Sequence, residues 1–388
     1  MNYKWKLMDD IITPSDKAAM ADFLLSSDRL TNGPKVKEFE EAWSEWLGCK
    51  HSLFVQSGST ANLLLVAAVK EKYNLQNGDK VLVPLCTWMT NVAPIMQLGL
   101  TPVFADINFD DYSFDLIKIQ EQMSEDERKE IKMVFITHLL GLNAKVDDIA
   151  YLFPNAILIE DICESHGVED ANGVKRGANS LGSTFSFYFG HHMTTIEGGM
   201  VCCNDDDLYD LMRMKRSHGM ARESTRFEEY AAQNPDINPQ FLFVTDGLNC
   251  RNDEVHAVLG LEQLKRLDSF IEARRKNFDR YIKLLDPFKF YVPEAGRNNS
   301  SFCFPFVAKE KAVADRVKKL LDEAGIETRP VIGGNLMRHP FLKRLDNVPV
   351  ATDQANADLA HEHGVYIGNN HLLTDEHFEL LEGVLNQL

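Results

Sequence analysis

Short apolar, β-branched runs alternate with helix-patterned segments through the first 160 or so residues, and this alternation narrows the fold more than any other feature. His51 to Gln56, Lys80 to Pro84, Thr101 to Asp106, Lys132 to His138 and Ile157 to Asp161 read as strands, the last two apolar enough to be buried. Ala61 to Tyr73, Thr87 to Gln97 and Asp115 to Met123 carry helical patterns between them. Strands and helices alternating at this spacing predict βαβ units and a mainly parallel sheet.

Two further helices are expected upstream. One spans residues 14 to 29 with Ser15 as its N-cap, and one runs through Val36, Phe39, Trp43, Trp46 and Leu47 to a stop at Gly48. Glu223 to Pro239 is polar and reads as a long surface loop. Helices follow over Asp253 to Leu267 and Ser269 to Leu285, the second carrying Arg274-Arg275-Lys276 as a solvated face. Phe302 to Val307 reads as strand, Ala312 to Ala324 as helix, Glu327 to Val331 as strand, and the remainder to Leu388 as helical. A junction near 250 to 270 divides the chain into a large α/β domain, 1–255, and a smaller C-terminal α/β domain, 256–388, on which the N-terminal helix has room to pack.

Composition removes several function classes. A formal net charge of −17 argues against a nucleic-acid partner, which needs basic surface, but not against a small anion held by backbone N–H groups. The sequence shows no signal-peptide pattern and no run approaching a membrane span. Seven scattered cysteines (Cys49, Cys86, Cys163, Cys202, Cys203, Cys250, Cys303) lack metal-ligand spacing, which predicts reduced thiols, no bound metal and a cytoplasmic protein. Cys202-Cys203 reads as a buried strand pair.

Several stretches could carry chemistry. Ser57-Gly58-Ser59-Thr60 joins a strand to a helix, where free N–H groups and hydroxyls can meet an anion, although a simple N-cap explains it too. Asp161 ends a buried strand at the sheet edge where ligands bind in open α/β folds, and it reads equally as a helix cap. Trp88 follows another strand end and could offer a flat face to an aromatic ligand, or belong to the core. The segment from Ser186 to Gly199 leaves one strand, passes through His191, His192 and Glu197, and returns as another strand at Gly198-Gly199. Two adjacent histidines alone read as a surface pair or a metal contact.

The order of these pieces is more specific than any one of them. With Pro102-Val103-Phe104-Ala105-Asp106, Glu160-Asp161, Glu197-Gly198-Gly199, His218-Gly219 and Gly247-Leu248-Asn249-Cys250-Arg251, the chain resembles fold-type I pyridoxal-phosphate enzymes over nearly its whole length. It is similar in particular to the DegT/StrS-type family that aminates or deoxygenates nucleotide-linked keto sugars. The resemblance implies an aspartate-aminotransferase-like α/β fold whose large domain holds a mostly parallel seven-stranded sheet. It implies pyridoxal 5′-phosphate and pyridoxamine 5′-phosphate as cofactors. Gly58, Ser59 and Ser186 would bind the phosphate, with Asn249 from a second subunit completing that site in a homodimer with shared active sites. Trp88 would stack on the ring, and Asp161 would pair with the ring nitrogen.

One departure from the family pattern decides the expected reaction. Family aminotransferases carry a lysine six residues before the Glu of Glu-Gly-Gly, and it forms the covalent link to the cofactor. Here that position is His191, and no lysine lies between Lys175 and Lys215. Imidazole cannot make that link but can move a proton near neutral pH. With Glu164 where aminotransferases usually carry Gln or His, the pattern resembles the sugar 3-dehydratases of the family.

That likeness implies removal of the C3 hydroxyl from a nucleotide-linked 4-keto-6-deoxy sugar of the GDP-4-keto-6-deoxymannose type, with L-glutamate as amino donor. His191 and Glu164 would be the catalytic residues, Glu164 would also touch the cofactor, and Arg329, His218 and His192 would contact substrate. His191 is favoured over His192 as the base on spacing. The related CDP-sugar enzymes carry an iron–sulfur cluster on grouped cysteines, which this sequence lacks. An aminotransferase using another base, or a non-catalytic cofactor- or sugar-binding homologue, remains the alternative reading.

Overall fold

A computed structural model describes residues 3–296, 298–344 and 347–388. Ten strands occur among the described residues: β1 (His51–Val55), β2 (Lys80–Pro84), β3 (Thr101–Ala105), β4 (Ile131–Thr137), β5 (Ile157–Asp161), β6 (Ser183–Ser186), β7 (Gly199–Cys203), β8 (Phe290–Tyr291), β9 (Cys303–Ala308) and β10 (Gly364–Gly368). The first seven form one sheet in the order β1-β7-β6-β5-β4-β2-β3, and the last three form a second in the order β10-β9-β8. β2 pairs parallel with β3 and β4, and β4 with β5. β7 pairs antiparallel with both β1 and β6. The expected α/β architecture with a mostly parallel seven-stranded sheet is the one observed.

The chain divides into two compact units. The first comprises Met1–Asp10, Asn77–Val174 and Leu267–Leu388. In it, Leu82, Val103, Val134 and Ile136 from the strands pack on Phe114, Ile119, Ile149 and Phe153. A second core joins Trp5 to Tyr281, Phe304, Phe306 and Phe378, and the Trp5 indole donates to the Gly368 carbonyl at 2.9 Å. Asp106, at the end of β3, is fully buried and accepts the backbone N–H groups of Asn356 and Ala357 at 2.9 and 2.8 Å. It thereby caps the helix Ala355–His363, whose first N–H groups have no partner within the helix.

The second unit comprises Ile11–Gln76 and Lys175–Arg266. α1 (Pro14–Ser26) is capped by Thr13 and not Ser15, because Pro14 takes the first helical position, where its missing N–H costs nothing. Asp16 closes that capping box and also accepts from Gln263 at 2.9 Å and Arg266 at 2.7 Å, which ties α1 to the helix Glu254–Leu264. α2 (Pro34–Leu47) ends as expected at Gly48, with φ 89°. Phe39 and Trp43 of α2 pack with Phe54, Phe185 and Phe187, all buried, so an aromatic layer lies beneath the loop that leaves β6.

Several expectations need correction. Phe227–Gln233 is a helix within the segment read as a loop, and it buries none of its residues, so hydrophobic periodicity could not reveal it. Glu327 to Val331 reduces to a single bridge between Arg329 and Tyr366, since Pro330 removes a donor. Gly364–Gly368, read as helical, is the strand β10. Thr87 to Gln97 splits into a 3₁₀ turn, Met89–Asn91, and a short helix, Ala93–Gln97. Arg274 is buried rather than solvated and donates to the carbonyls of Phe302 and Asn369. Arg275 donates to the carbonyls of Asn299 and Gly167. Cys202 and Cys203 form the buried strand pair expected of them.

Candidate active site

β1 ends at Val55, and α3 (Gly58–Lys72) begins three residues later. Ser57 caps it by accepting the Thr60 N–H at 3.1 Å, while Thr60 Oγ1 accepts the Ser57 N–H at 3.0 Å. The capping box thus deals with the Ser57 and Thr60 amides, and the N–H groups of Gly58 and Ser59 stand at the positive end of a 15-residue helix. Gly58 is buried and Ser59 exposed. Gly199 shows how tightly this turn is held: a Cβ there would lie 2.3 Å from the Ser57 carbonyl oxygen and 2.7 Å from the Gly58 nitrogen. Gly199 is paired in register with Val55 on one side and Ser186 on the other, so Ser186 borders the same turn.

From Ser186 the chain enters the histidine loop. Phe187 N–H donates to Gly198 O at 2.9 Å and Thr195 N–H to Phe187 O at 3.0 Å, which closes the loop on itself. Ile196 takes a positive φ of 70° within it. The His191 ring Nδ1 lies 3.0 Å from the Ser186 carbonyl. A carbonyl can only accept, so Nδ1 donates to it, and Nε2 is the ring nitrogen whose proton can come and go. The ring stands edge-on to Tyr188, with centroids 6.1 Å apart. His191 keeps partial exposure, whereas His192 is fully buried.

Residues of the first unit form a separate cluster. Asp161 lies buried at the end of β5 and accepts from the Cys163 N–H on Oδ1 at 2.8 Å and from Asn91 Nδ2 on Oδ2 at 2.7 Å. Thr87 Oγ1 donates to Asn91 Oδ1 at 2.8 Å and lies 3.1 Å from Thr137 Oγ1. Trp88 sits on the same turn and is 56% exposed, available as a flat face. The Glu164 carboxylate accepts the Leu140 N–H at 2.9 Å. Glu164 keeps some exposure as a residue, but the protein around its carboxyl resists charge: burial lifts its pKa to about 7, the Leu140 bond opposes that rise, and the charge of Asp161 adds to it. Arg329 is exposed, and its backbone exchanges hydrogen bonds with Tyr366 at 3.0 and 2.7 Å.

Two candidates sit on two segments of the second unit that the Ser217–Asn249 bridge joins. His218 and Asn249 are both exposed, and the His218 N–H donates to Leu248 O at 2.9 Å. Asn91, Thr87 and Thr137 were not singled out as polar partners by the sequence. A signal was present in Thr87 and Asn91, polar residues four apart within a pattern otherwise read as helix.

The chain belongs to the DegT/DnrJ/EryC1/StrS aminotransferase family, whose profile matches residues 12–384. Its fold is the aspartate-aminotransferase-like fold-type I of pyridoxal-phosphate enzymes. It is 35% identical to the GDP-4-keto-6-deoxy-D-mannose 3-dehydratase of Yersinia pseudotuberculosis over 376 residues, covering 94% of each chain. Identity to the enzyme of that name from Escherichia coli O55:H7 is 31%, over 93% of this chain and 94% of the relative. Among solved structures, a His-to-Asn variant of GDP-4-keto-6-deoxymannose-3-dehydratase with bound GDP-perosamine superposes with a TM-score of 0.90 at 30% identity, covering 98% of this chain and 100% of that one. A GDP-4-keto-6-deoxymannose-3-dehydratase holding a trapped PLP-glutamate geminal diamine gives a TM-score of 0.88 at 30% identity and the same coverage.

Proposed function

We propose that this protein is a pyridoxal/pyridoxamine-phosphate-dependent 3-dehydratase of a nucleotide-linked 4-keto-6-deoxy sugar, of the GDP-4-keto-6-deoxymannose type, with L-glutamate as amino donor. The observation that carries this reading is His191: at the position where family aminotransferases hold their lysine stands an imidazole whose Nδ1 is tied to the Ser186 carbonyl. The similarity to two 3-dehydratases over 93% or more of the chain supports it.

The residues present suit the cofactor. Helix-terminal N–H groups at Gly58 and Ser59, with the Ser186 hydroxyl nearby, are donors for a phosphate, and the Gly199 contact leaves no space for a side chain at that turn. Asn249 of a second copy is assigned to the same phosphate. Trp88 offers a ring face, and Asp161 a buried carboxylate for the pyridine nitrogen. When bound, the cofactor supplies the electron sink and the exchangeable amino group.

This chain's own residues then handle protons and orientation. His191 Nε2 takes the proton released beside the reactive carbon and returns one to the departing C3 hydroxyl. Glu164, with a pKa of about 7, can hold or give a proton near neutrality. Arg329 is assigned to a carboxylate or to the sugar nucleotide. Of the three substrate-contact candidates, Arg329 and His218 keep exposed side chains and His192 does not.

A homodimer is part of the proposal. Phe241, Phe243 and Leu248 are 61%, 56% and 56% exposed beside Asn249, an apolar stretch that a second copy would cover. The expected compartment is the cytoplasm, with all seven cysteines as free thiols. Among the described residues, no helix is long and apolar enough to cross a membrane.

Reconstitution with pyridoxal phosphate followed by borohydride tests the central substitution. The cofactor should remain non-covalent and extractable, whereas a reduced lysine adduct would contradict the reading.

A further inference from the structure

We propose that Asn91 is the positioning residue for Asp161, and that Thr87 and Thr137 hold Asn91 in the one orientation that does this. The inference rests on the cofactor assignment above and deepens it. Thr87 and Asn91 are fully buried, and Thr137 and Asp161 are 5% and 4% exposed, so bulk water does not compete for these bonds.

The direction of the chain follows from its donors. The Thr87 hydroxyl donates to Asn91 Oδ1, which turns the amide so that Nδ2 faces Asp161 Oδ2 at 2.7 Å. Thr87 Oγ1, having given its proton to Asn91, receives from Thr137 Oγ1 at 3.1 Å. The opposite amide orientation would set Asn91 Oδ1 against a carboxylate oxygen. Asp161 Oδ1 is meanwhile held by the Cys163 N–H at 2.8 Å. Each carboxylate oxygen therefore receives at least one fixed donor, and neither of these two donors can accept a proton from it. Such an arrangement sets the plane of the carboxylate and aims it as the acceptor for a ring nitrogen, as outer partners do for other ligating groups.

The same turn places Trp88. The Asn91 N–H donates to Trp88 O at 3.0 Å, closing the 3₁₀ turn between them. One turn thus carries both the proposed stacking face and the group that orients the ring's acidic partner. This accounts for the break in what the sequence presents as a continuous helix.

The test compares the native protein with Asn91→Leu, Thr87→Val and Asn91→His, each monitored for melting temperature, pyridoxal-phosphate affinity and the pH titration of the bound-cofactor absorbance. Asn91→Leu should melt as a folded protein, bind the cofactor about tenfold or more weakly, as loss of a hydrogen bond to a charged group implies, and shift the ring-nitrogen titration to lower pH. Thr87→Val should shift both quantities in the same direction by less, and Asn91→His, which keeps an N–H donor, should recover part of each. Native-like affinity and an unmoved titration in both Asn91→Leu and Thr87→Val would overturn the assignment while leaving the cofactor reading intact. Failure of the native protein itself to bind the cofactor would overturn both.

Discussion

His191 and Glu164 are the two side chains whose protonation the proposed reaction uses most. His191→Asn retains a polar group near the Ser186 carbonyl but has no titratable nitrogen. Its kcat for deoxygenation should fall by about 10²–10⁴-fold, with cofactor affinity little changed, in steady-state assays and equilibrium dialysis. Glu164 makes a stability prediction. Its folded pKa of about 7 stands above the ordinary 4.5, so between those values the folded state keeps a proton that the unfolded chain has lost. Stability from this group is therefore present at low pH and declines as pH rises from 4.5 through 7. Glu164→Gln keeps an acceptor for the Leu140 N–H, and thermal melts should show it gaining on the native protein at pH 8 relative to pH 5. A parallel loss in both proteins would count against the shift. At this scale the sequence displayed His191, Asp161 and Glu164 because each departs from or fits a spaced pattern. Asn91 stayed hidden because its partner Asp161 lies 70 residues away, and Arg274 was misread because its buried partners are carbonyls, which leave no trace in side-chain composition.

Among the elements, β1 lies at one end of the strand order, where an exposed row of backbone groups invites mispairing. Glu40 Oε1 accepts the Phe54 N–H at 2.8 Å, and Arg216 donates to the Phe54 carbonyl at 3.1 Å. The two side chains also pair with each other at 2.5 Å while 12% and 6% exposed. Removing one member strands both a mostly buried charge and a strand amide, so Glu40→Ala should cost about 3–5 kcal/mol in denaturant unfolding. Gly199→Ala addresses the phosphate turn instead. A methyl group there meets the backbone of Ser57 and Gly58, which cannot yield as a side-chain tip could. The variant should lose cofactor affinity before it loses its sheet, read by dialysis against circular dichroism. The central strands were legible because burial on both faces writes a continuous apolar run. β10 was not, since five buried residues between helices carry no period of their own, and Phe227–Gln233 was not, since a helix with no buried residue has no apolar stripe.

For the whole molecule, the proposed phosphate site needs a residue from each of two copies. The exposed Phe241, Phe243 and Leu248 and the assignment of Asn249 to a neighbour's phosphate site predict a particle of twice 44.0 kDa by light scattering. Leu248→Asp should yield monomers with weakened cofactor binding, and a fully active monomer would remove Asn249 from the site. The proposed reaction turns, however, on which bond changes on the sugar. A histidine in place of the lysine moves the expected chemistry from adding an amine to removing an oxygen. Nitrogen-labelled glutamate supplied with the GDP-linked 4-keto-6-deoxy sugar separates the two in one assay. Labelled ammonia, 2-oxoglutarate and an unlabelled 3-deoxy-4-keto sugar are expected; label recovered on the sugar as a stable amine would rule the dehydratase reaction out.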